Sequence, residues 1–508
     1  MASSQVHREQ SLGVSVTTRP NVVLLVLDTA RADCVDTVQP AAVTPNIAAI
    51  AESGTAYTEA FSSAPWTMPS HASLFTGTYS STHGAHAGHR RLGPDLITLP
   101  AAFADHGYET VAASNNAWIS DAFGFGRGFE TFYRGWQLVQ SETDLGEVGL
   151  TNNGRALWLR LLHRLFDGNP LTNTLNAAYA KFRFSSRGDS GAARTTEWVQ
   201  EWLQTRSQDR PFFLFGNYLE PHLEYQPPKS YAQQHLPDDV SYDEAMAIPQ
   251  NPWRYLTNQL SLSERDFEIL RGLYKAELSY LDSHIGALCE TLRATDQWEN
   301  TLFVIVGDHG ENIGEHGLMD HQYGLFDTLL HVPLVITGGS FTNGGQRDQL
   351  VQLLDVVPTL LDETDLAAPA LRDQLAGTSL PHPSEQGRTH VFAEYKAPQP
   401  TPETIEQRVG DPHDVMSTYD RALHAVRTTE HKLVRDSRGE TELYDVTDGE
   451  SELSCSNHPT TTAQLNSKLE QWQSSLDSAE SATQVKPDEN TAQILDALGY
   501  LQVDSDSK

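Results

Sequence analysis

The sequence predicts an α/β fold: a large, mostly parallel sheet flanked by helices, followed by a smaller C-terminal subdomain with an antiparallel sheet. Strand and helix patterns alternate from Asn21 onward, an order that favours a parallel sheet covered on both faces. Two strand-length runs, 21–27 and 301–307, are apolar after their first residue, as expected of strands buried on both faces. With 508 residues, the chain can bury a large core and divide into a large and a small domain.

The large domain is assigned to 21–395, after a polar N-terminal segment at 1–20 and with a helical insertion at about 140–190. Its helical patterns cover 44–54, 99–106, 265–293 and 326–330. Its further strand patterns cover 111–114, 211–218 and 332–337.

The smaller α+β subdomain is assigned to 396–476 and begins with a proline-rich loop at 397–402. Its short strand patterns and closing helix are predicted at 421–427, 432–435, 440–444 and 461–476. The remaining residues, 477–508, form an acidic tail.

Chemically active side chains follow the two apolar runs. Asp28 ends the first run, and Asp308 and His309 end the second, so parallel strands would deliver them to one edge of the sheet. Thr67 follows Ala64-Pro65-Trp66 at the predicted start of a helix, where free N–H groups and the helix dipole favour an anion. Taken singly, Thr67 is explained as an ordinary N-cap and each Asp as a turn residue. Together they predict a mixed oxygen and nitrogen metal site.

These residues stand in a series of motifs that resembles the sulfatase family of the alkaline phosphatase superfamily. The motifs lie at 44–46, 64–77, 218–222, 307–317, 331–336, 432–434 and 442–445. The resemblance implies an alkaline-phosphatase-like fold and a metal-dependent hydrolase of sulfate or phosphate esters. It implies Asp28, Thr67, Asp308 and His309 as metal ligands, with Thr67 also the nucleophile. His222 and His321 would contact the substrate anion or the leaving group, and a two-metal variant could recruit Glu220 with them.

The departures from the family pattern bear on the chemistry. The family oxidises Cys or Ser at the position of Thr67 to formylglycine, and Thr cannot form that aldehyde. The family's nearby Arg is His71, its second Asp is Thr29, and its Asn ligand is His309. A nitrogen ligand with fewer carboxylates favours Mn, Zn or Fe, while Ca or Mg stay open. Further family cations are replaced at 115–116, both Asn, so the anion pocket is less cationic.

We therefore expect Thr67 to attack a small-molecule, glycan-linked or lipid-linked anionic ester. A phosphodiester or phosphonate is favoured over a sulfate, because a Thr-sulfate cannot expel sulfate by collapsing to an aldehyde. Three alternatives stay open: a sulfatase that acts without formylglycine, a phospho-group transferase, and a noncatalytic binding protein on the same fold.

Acidic residues dominate the composition: 67 acidic against 35 basic residues give a formal charge of −32. A charge of this size destabilises a compact fold by self-repulsion unless salt screens it. It therefore indicates a family member of haloarchaeal type from a high-salt cytoplasm; the alternative is that the acidic residues bind a cationic partner. Nucleic-acid binding is disfavoured. We find no signal-peptide or transmembrane pattern, so a soluble, cytoplasmic protein is expected. The three Cys are widely spaced and predicted to be free thiols.

Residues 155–167 predict an amphipathic helix, with an apolar stripe that includes Trp158 and an opposite face that carries Arg155, Arg160 and Arg164. It is either a lid packed on its own domain or a contact to an anionic membrane surface or a partner. We predict that a membrane role produces co-flotation with anionic liposomes at low salt. If the protein does not float with liposomes at any salt concentration, the membrane contact is excluded and the interpretation as a lid is retained.

Overall fold

The structure, a computed structural model, describes residues 19–37, 43–141, 169–172, 174–176, 188–342, 344–380, 387–409 and 413–480. The helix predicted at 155–167 lies outside these residues, as do 1–18 and 481–508 of the predicted terminal segments.

A mixed eight-stranded sheet forms the centre of the described large domain. The strands of this domain are β1 Asn21–Leu27, β2 Thr55–Tyr57, β3 Ala60–Phe61, β4 Glu109–Ser114, β5 Thr131–Arg134, β6 Phe212–Tyr218, β7 Thr301–Gly307, β8 Asn312–Ile313, β9 Met319–Asp320, β10 Leu334–Thr337, β11 Gln346–Arg347 and β12 Val351–Gln352. The order is β11-β2-β10-β7-β1-β6-β4-β5, and β10 alone runs antiparallel to its neighbours in it. The predicted mostly parallel α/β sheet is therefore confirmed.

Helices cover both faces of this sheet. In the large domain they are α1 Pro45–Ser53, α2 Thr67–Thr76, α3 Ser80–His83, α4 Leu99–Asp105, α5 Ala192–Thr205, α6 Lys229–His235, α7 Tyr242–Ala245, α8 Pro252–Leu256, α9 Glu264–Ala294, α10 Asp327–Leu330, α11 Val356–Glu363 and α12 Pro369–Arg372. Helices α1, α5 and α9 contribute to one apolar core, and α2, α4 and α11 to the other. Strand β1 contributes side chains to both cores, because successive side chains of a strand point to opposite faces of the sheet. Val22 and Leu24 pack in one core, and Val23 and Leu25 pack in the other.

The three central strands set the position of the site. Strands β6 and β7 flank β1 in parallel, and Leu27 is in register with both Tyr218 and Gly307. The residues that follow these three strands therefore emerge side by side at one edge of the sheet.

The small domain is an antiparallel sheet in the order β13-β14-β15-β16-β17. Its elements are β13 Val391–Tyr395, α13 Pro402–Val409, α14 His413–Tyr419, β14 Leu423–Arg427, β15 His431–Asp436, β16 Thr441–Asp445, β17 Ser451–Leu453 and α15 Pro459–Glu480. The sheet begins with β13, before the boundary predicted at 395/396, and α15 continues beyond the predicted helix end at 476. Strand β13 lies against β14 and thus belongs to the small sheet.

A buried ion-pair network joins the large domain to the small sheet. The Lys432 side chain on β15 is fully buried, and its Nζ donates to the Leu325 carbonyl at 2.9 Å and to Asp327 at 3.0 Å. The same ammonium pairs with Glu450, and Arg427 pairs with Asp327 at 3.0 Å. Because a buried charge is costly unless it is paired, this network ties the segment around Leu325 to the small domain.

We predict that Lys432→Met lowers the free energy of unfolding by about 3 kcal/mol, because it leaves Glu450 without the Lys432 counter-ion and leaves Asp327 paired with Arg427 alone. Urea unfolding followed by circular dichroism measures the change. The control is Lys468→Met, an exposed lysine on α15, which should change the same quantity by less than about 0.5 kcal/mol. Equal effects of the two substitutions would contradict the role of Lys432 as a buried counter-ion.

Candidate metal and catalytic site

Four predicted residues meet at the carboxyl edge of the large sheet. Asp28 follows β1, Asp308 and His309 follow β7, and Thr67 is the first residue of α2. From His309 Nε2, the distances are 3.6 Å to Asp28 Oδ1, 3.4 Å to Asp308 Oδ2 and 3.3 Å to Thr67 Oγ1. All four side chains are buried. Residues that lie hundreds of positions apart in sequence thus converge on one point.

The hydrogen bonds of His309 fix the role of its ring nitrogens. Nδ1 lies 2.9 Å from the carbonyl oxygen of Gly310, and a carbonyl can only accept, so Nδ1 carries the proton. Burial lowers the pKa of His309 to about 3, which keeps the ring neutral. Nε2 therefore presents a lone pair to the carboxylates, the usual arrangement of a histidine that ligates a metal.

Each carboxylate has one anchored oxygen and one without a hydrogen bond. Asp28 Oδ2 accepts from Asn116 Nδ2 at 2.7 Å, and Asp308 Oδ1 accepts from the backbone N–H groups of Thr29 at 3.2 Å and His309 at 2.9 Å. Asp28 Oδ1 and Asp308 Oδ2 make no hydrogen bond of ordinary geometry with the described residues, although His71 Nδ1 lies 3.3 Å from Asp308 Oδ2. Burial, together with the nearby Asp308 carboxylate, raises the pKa of Asp28 to about 7. The two oxygens without donors are those that face His309.

These groups fit a divalent cation. In a tetrahedral site with bonds of about 2.1 Å, neighbouring ligand atoms are about 3.4 Å apart. The distances from His309 Nε2 to Asp28, Asp308 and Thr67 lie between 3.3 and 3.6 Å. A cation would also satisfy the two carboxylate oxygens that lack donors, which would otherwise carry a desolvation cost.

Thr67 is not the N-cap of α2, the ordinary explanation of a Thr in this position. The N-cap is Trp66, whose side chain makes no capping hydrogen bond, and Thr67 is the first helical residue. Its hydroxyl is therefore not used to cap the helix and lies beside His309.

His71 and Ser70 brace the cluster from α2, a role that sequence reasoning missed. The Ser70 hydroxyl donates to the Asp308 carbonyl at 2.6 Å. The His71 ring is fully buried, with Nδ1 2.9 Å from the Thr67 carbonyl and Nε2 3.3 Å from Asn217 Nδ2. His71 thus holds α2 against the sheet. The i to i+4 spacing from Thr67 was the available signal, since it places both residues on one helix face.

A second cluster lies next to the first, formed by Glu311, Asp320 and His321. His321 Nδ1 is 2.5 Å from Asp320 Oδ1 and 3.5 Å from Glu311 Oε1. Burial opposes protonation of His321, but the two carboxylates raise its pKa well above the ordinary value. Sequence reasoning singled out His321 but not Glu311 or Asp320. The turn between β8 and β9, which folds Asp320 back towards Glu311, has no strong pattern.

His222 and Glu220 separate in the structure. The half-buried His222 ring contacts His321, with ring centroids 5.0 Å apart, and the His321 ring lies 4.6 Å from that of His309. Glu220 accepts a hydrogen bond from the Ala192 backbone at the start of α5, at 3.0 Å. Of the extra ligand set suggested from the sequence, only His321 lies in the cluster with Glu311 and Asp320; His222 contacts the His321 ring, and Glu220 contacts the start of α5.

The fold, with this cluster at the carboxyl edge of its sheet, is that of the alkaline-phosphatase-like α/β hydrolases. The sulfatase family model matches residues 20–366, more than half of the chain. The chain belongs to the sulfatase family and is a hydrolase of sulfate or phosphate esters.

The individual relatives share low sequence identity with this chain. The uncharacterized sulfatase YidJ of Escherichia coli (strain K12) is 25% identical over 370 residues, which cover 70% of this chain and 69% of that protein. The phosphonate monoester hydrolase SpPMH from Silicibacter pomeroyi superposes with a TM-score of 0.62 at 20% identity, covering 89% of this chain and 94% of that one. A 2-O GAG sulfatase superposes with a TM-score of 0.64 at 18% identity, covering 93% and 96%.

Within the described part of the chain, no helix combines the length and the apolar character needed to cross a membrane.

We predict that Asp308→Ala abolishes bound metal and lowers activity at least about 100-fold, since loss of a second-shell partner alone typically costs 10–100-fold. Metal content is measured by inductively coupled plasma mass spectrometry, and folding by circular dichroism. Asp105→Ala, at the exposed end of α4, is the control and should keep both metal and activity. A folded Asp308→Ala protein with full activity would exclude Asp308 as a ligand.

Proposed function

We propose that the protein hydrolyses a phosphate-type ester, a phosphodiester or a phosphonate ester, with Thr67 as the nucleophile. The observation that carries this proposal is the position of Thr67 Oγ1, 3.3 Å from His309 Nε2, which itself lies 3.6 Å from Asp28 Oδ1 and 3.4 Å from Asp308 Oδ2. A divalent cation held by Asp28, Asp308 and His309 would lower the pKa of the Thr67 hydroxyl and neutralise a nonbridging oxygen of the ester. The nitrogen ligand favours Mn, Zn or Fe over Ca or Mg.

The helix start supports the same assignment. Thr67 opens α2, a helix of 10 residues, and the Trp66 side chain makes no capping hydrogen bond to its first turn. Pro69 has no N–H and the Ser70 N–H donates to the Trp66 carbonyl at 3.3 Å, so the first-turn groups left to favour the negative charge of a bound ester are the N–H groups of Thr67 and Met68. Ser70 and His71 hold this helix end against Asp308, so the hydroxyl keeps a fixed position relative to the carboxylates.

His222 and His321 would serve the leaving group. They contact each other beside His309, on the side of the site where His222 is partly exposed. A histidine in that place can stabilise charge on the departing oxygen or donate a proton to it. Substrates would be small-molecule, glycan-linked or lipid-linked esters.

The preference for phosphorus rests on the single hydroxyl of Thr67. A formylglycine hydrate carries two hydroxyls on one carbon, so the second can expel sulfate after the first is sulfated. Thr has one hydroxyl, and a Thr-linked intermediate must be cleaved by attack on the central atom, a reaction open to phosphorus through a second in-line displacement. The superposition on a phosphonate monoester hydrolase is compatible with this chemistry.

Sulfate-ester hydrolysis is the second candidate, because YidJ and the 2-O GAG sulfatase carry that description. It would need water to attack sulfur without Thr67. Transfer of a phospho-group to an alcohol shares the first half-reaction and would appear as a new ester when alcohols are added. The charge of −32 favours a salt-rich cytoplasm as the setting of either reaction.

We predict that kcat/KM is higher for a nitrophenyl phosphodiester than for nitrophenyl sulfate. Thr67→Ala should lower the phosphodiester value by at least about 1,000-fold, because it removes the nucleophile. Thr67→Ser is the matched variant: it keeps a hydroxyl and should retain most of the activity. A preference for the sulfate that survives Thr67→Ala would overturn the proposal.

A further inference from the structure

We infer that Arg90 is a specificity-determining residue, which binds a second negatively charged group of the substrate away from the bond that is cleaved. The inference rests on the proposed function, because it concerns the same site and names the class of ester that the site accepts. That class is an ester that carries a further carboxylate, phosphate or sulfate group. The planar guanidinium recognises such groups through two parallel N–H donors.

The groups that form the candidate site supply little positive charge for a remote anion. Asp28 and Asp308 are carboxylates, and burial lowers the pKa of His309 to about 3, which keeps its ring neutral. Asn116, the partner of Asp28, contributes an uncharged amide. Lys and Arg make up only 35 of the 508 residues, so an Arg placed beside this site is informative.

Trp118 links Arg90 to the part of the site that carries Asp28. The guanidinium carbon of Arg90 lies 5.6 Å from the centroid of the Trp118 ring. That ring contacts the ring of Trp66, which directly precedes the proposed nucleophile, with centroids 6.2 Å apart. The Trp118 backbone N–H also donates to Asn116 Oδ1 at 3.0 Å, and Asn116 donates to Asp28 at 2.7 Å. Stacking on Trp118 therefore holds the guanidinium beside this part of the site.

The loop after β13 links Arg90 to the part of the site that carries His321. Arg90 Nη2 donates to Gln399 Oε1 at 3.1 Å. The carbonyl of the next residue, Pro400, accepts a hydrogen bond from the Tyr323 hydroxyl at 2.7 Å, and Tyr323 is two residues beyond His321. Arg90 is half-buried, so a substrate can reach it from solvent. It therefore lies at the rim, in contact with neighbours of both parts of the site.

The backbone on either side of Arg90 is fixed. Before it, the backbone groups of His86 and His89 exchange hydrogen bonds at 3.1 and 2.9 Å and close a tight turn. After it, the Leu92 N–H donates to the Phe123 carbonyl at 2.9 Å. A side chain on such a support loses little conformational freedom when it binds a ligand, which favours affinity.

A structural link between this turn and the loop after β13 is the alternative role of Arg90. Loss of such a link would weaken the fold and affect every substrate alike. A residue that binds a remote charge instead changes the activity on a charged substrate relative to a neutral one. The ratio between two such substrates therefore distinguishes the two roles.

The test uses two nitrophenyl phosphodiesters whose alkyl group ends in a carboxylate or in the isosteric carboxamide. A second pair carries the same two groups on the nitrophenyl ring, and all are assayed at the lowest salt that keeps the protein folded. We expect Arg90→Gln to lower the ratio of kcat/KM, charged over neutral, by about 10-fold in at least one pair, the effect of a lost charge-assisted hydrogen bond. Arg90→Lys, which keeps the charge without the fork, should lose less.

The control is Arg91→Gln, which changes the net charge by the same amount. Arg91 is exposed and lines a neighbouring cavity with Pro94 and Arg127. An exposed charge of this kind contributes little, so the ratio should stay within about 2-fold of the wild-type value. Circular dichroism of each variant checks the fold. Calorimetric titration of Thr67→Ala protein, with and without Arg90→Gln, gives the same ratio as Kd values and needs no turnover.

The outcomes separate this inference from the proposed function. Equal losses on the charged and neutral esters in Arg90→Gln, or an unchanged ratio in both pairs, would overturn the assigned role and leave the nucleophile intact. Activity that survives Thr67→Ala would overturn the nucleophile, and the Kd ratio would still decide on Arg90. If sulfates are the better substrates, aryl sulfates with the same carboxylate and carboxamide replace the diesters. Failure of the folded protein to bind either member of any pair would overturn both.

Discussion

Two carboxylate oxygens, Asp28 Oδ1 and Asp308 Oδ2, lie in the interior and make no hydrogen bond of ordinary geometry with the described residues, although His71 Nδ1 is 3.3 Å from the second. Such atoms are expensive to bury, and the surrounding structure is arranged to hold them in place. Asn116 donates a hydrogen bond to the other oxygen of Asp28, and the backbone N–H groups of Thr29 and His309 donate to the other oxygen of Asp308. The unprotonated Nε2 of the neutral His309 ring faces these oxygens, so the protein places a further lone pair there and not a hydrogen-bond donor.

The central sheet holds these carboxylates in fixed positions. Strands β6, β1 and β7 are parallel neighbours buried on both faces, so the ends that carry Asp28 and Asp308 are fixed by two apolar cores. Helix α2 is anchored to the same edge by Ser70 and His71. Little rearrangement is then needed when a ligand binds, which is the benefit of preorganisation.

Sequence reasoning predicted those members of the candidate site that follow strong patterns. The two apolar runs located Asp28, Asp308 and His309, because a buried strand and its end can be recognised from composition alone. The same reasoning missed Glu311 and Asp320, which meet only because the short strands β8 and β9 fold back on each other. Two-residue strands have no periodicity to detect. The start of the small sheet at Val391 was missed for a related reason: its pairing with β14 is a long-range contact.

The buried Lys432 affects the order in which parts of the structure can form during synthesis. Its ammonium group holds the carbonyl of Leu325 and the carboxylate of Asp327, a few residues after His321. The segment that carries His321 is thus clamped by a strand made more than a hundred residues later in the chain. During synthesis the ribosome delivers Asp28 early and Lys432 late. A growing chain can form the central strands before its second cluster is held in place, so any ligand that needs both clusters meets a finished site only after β15 has emerged.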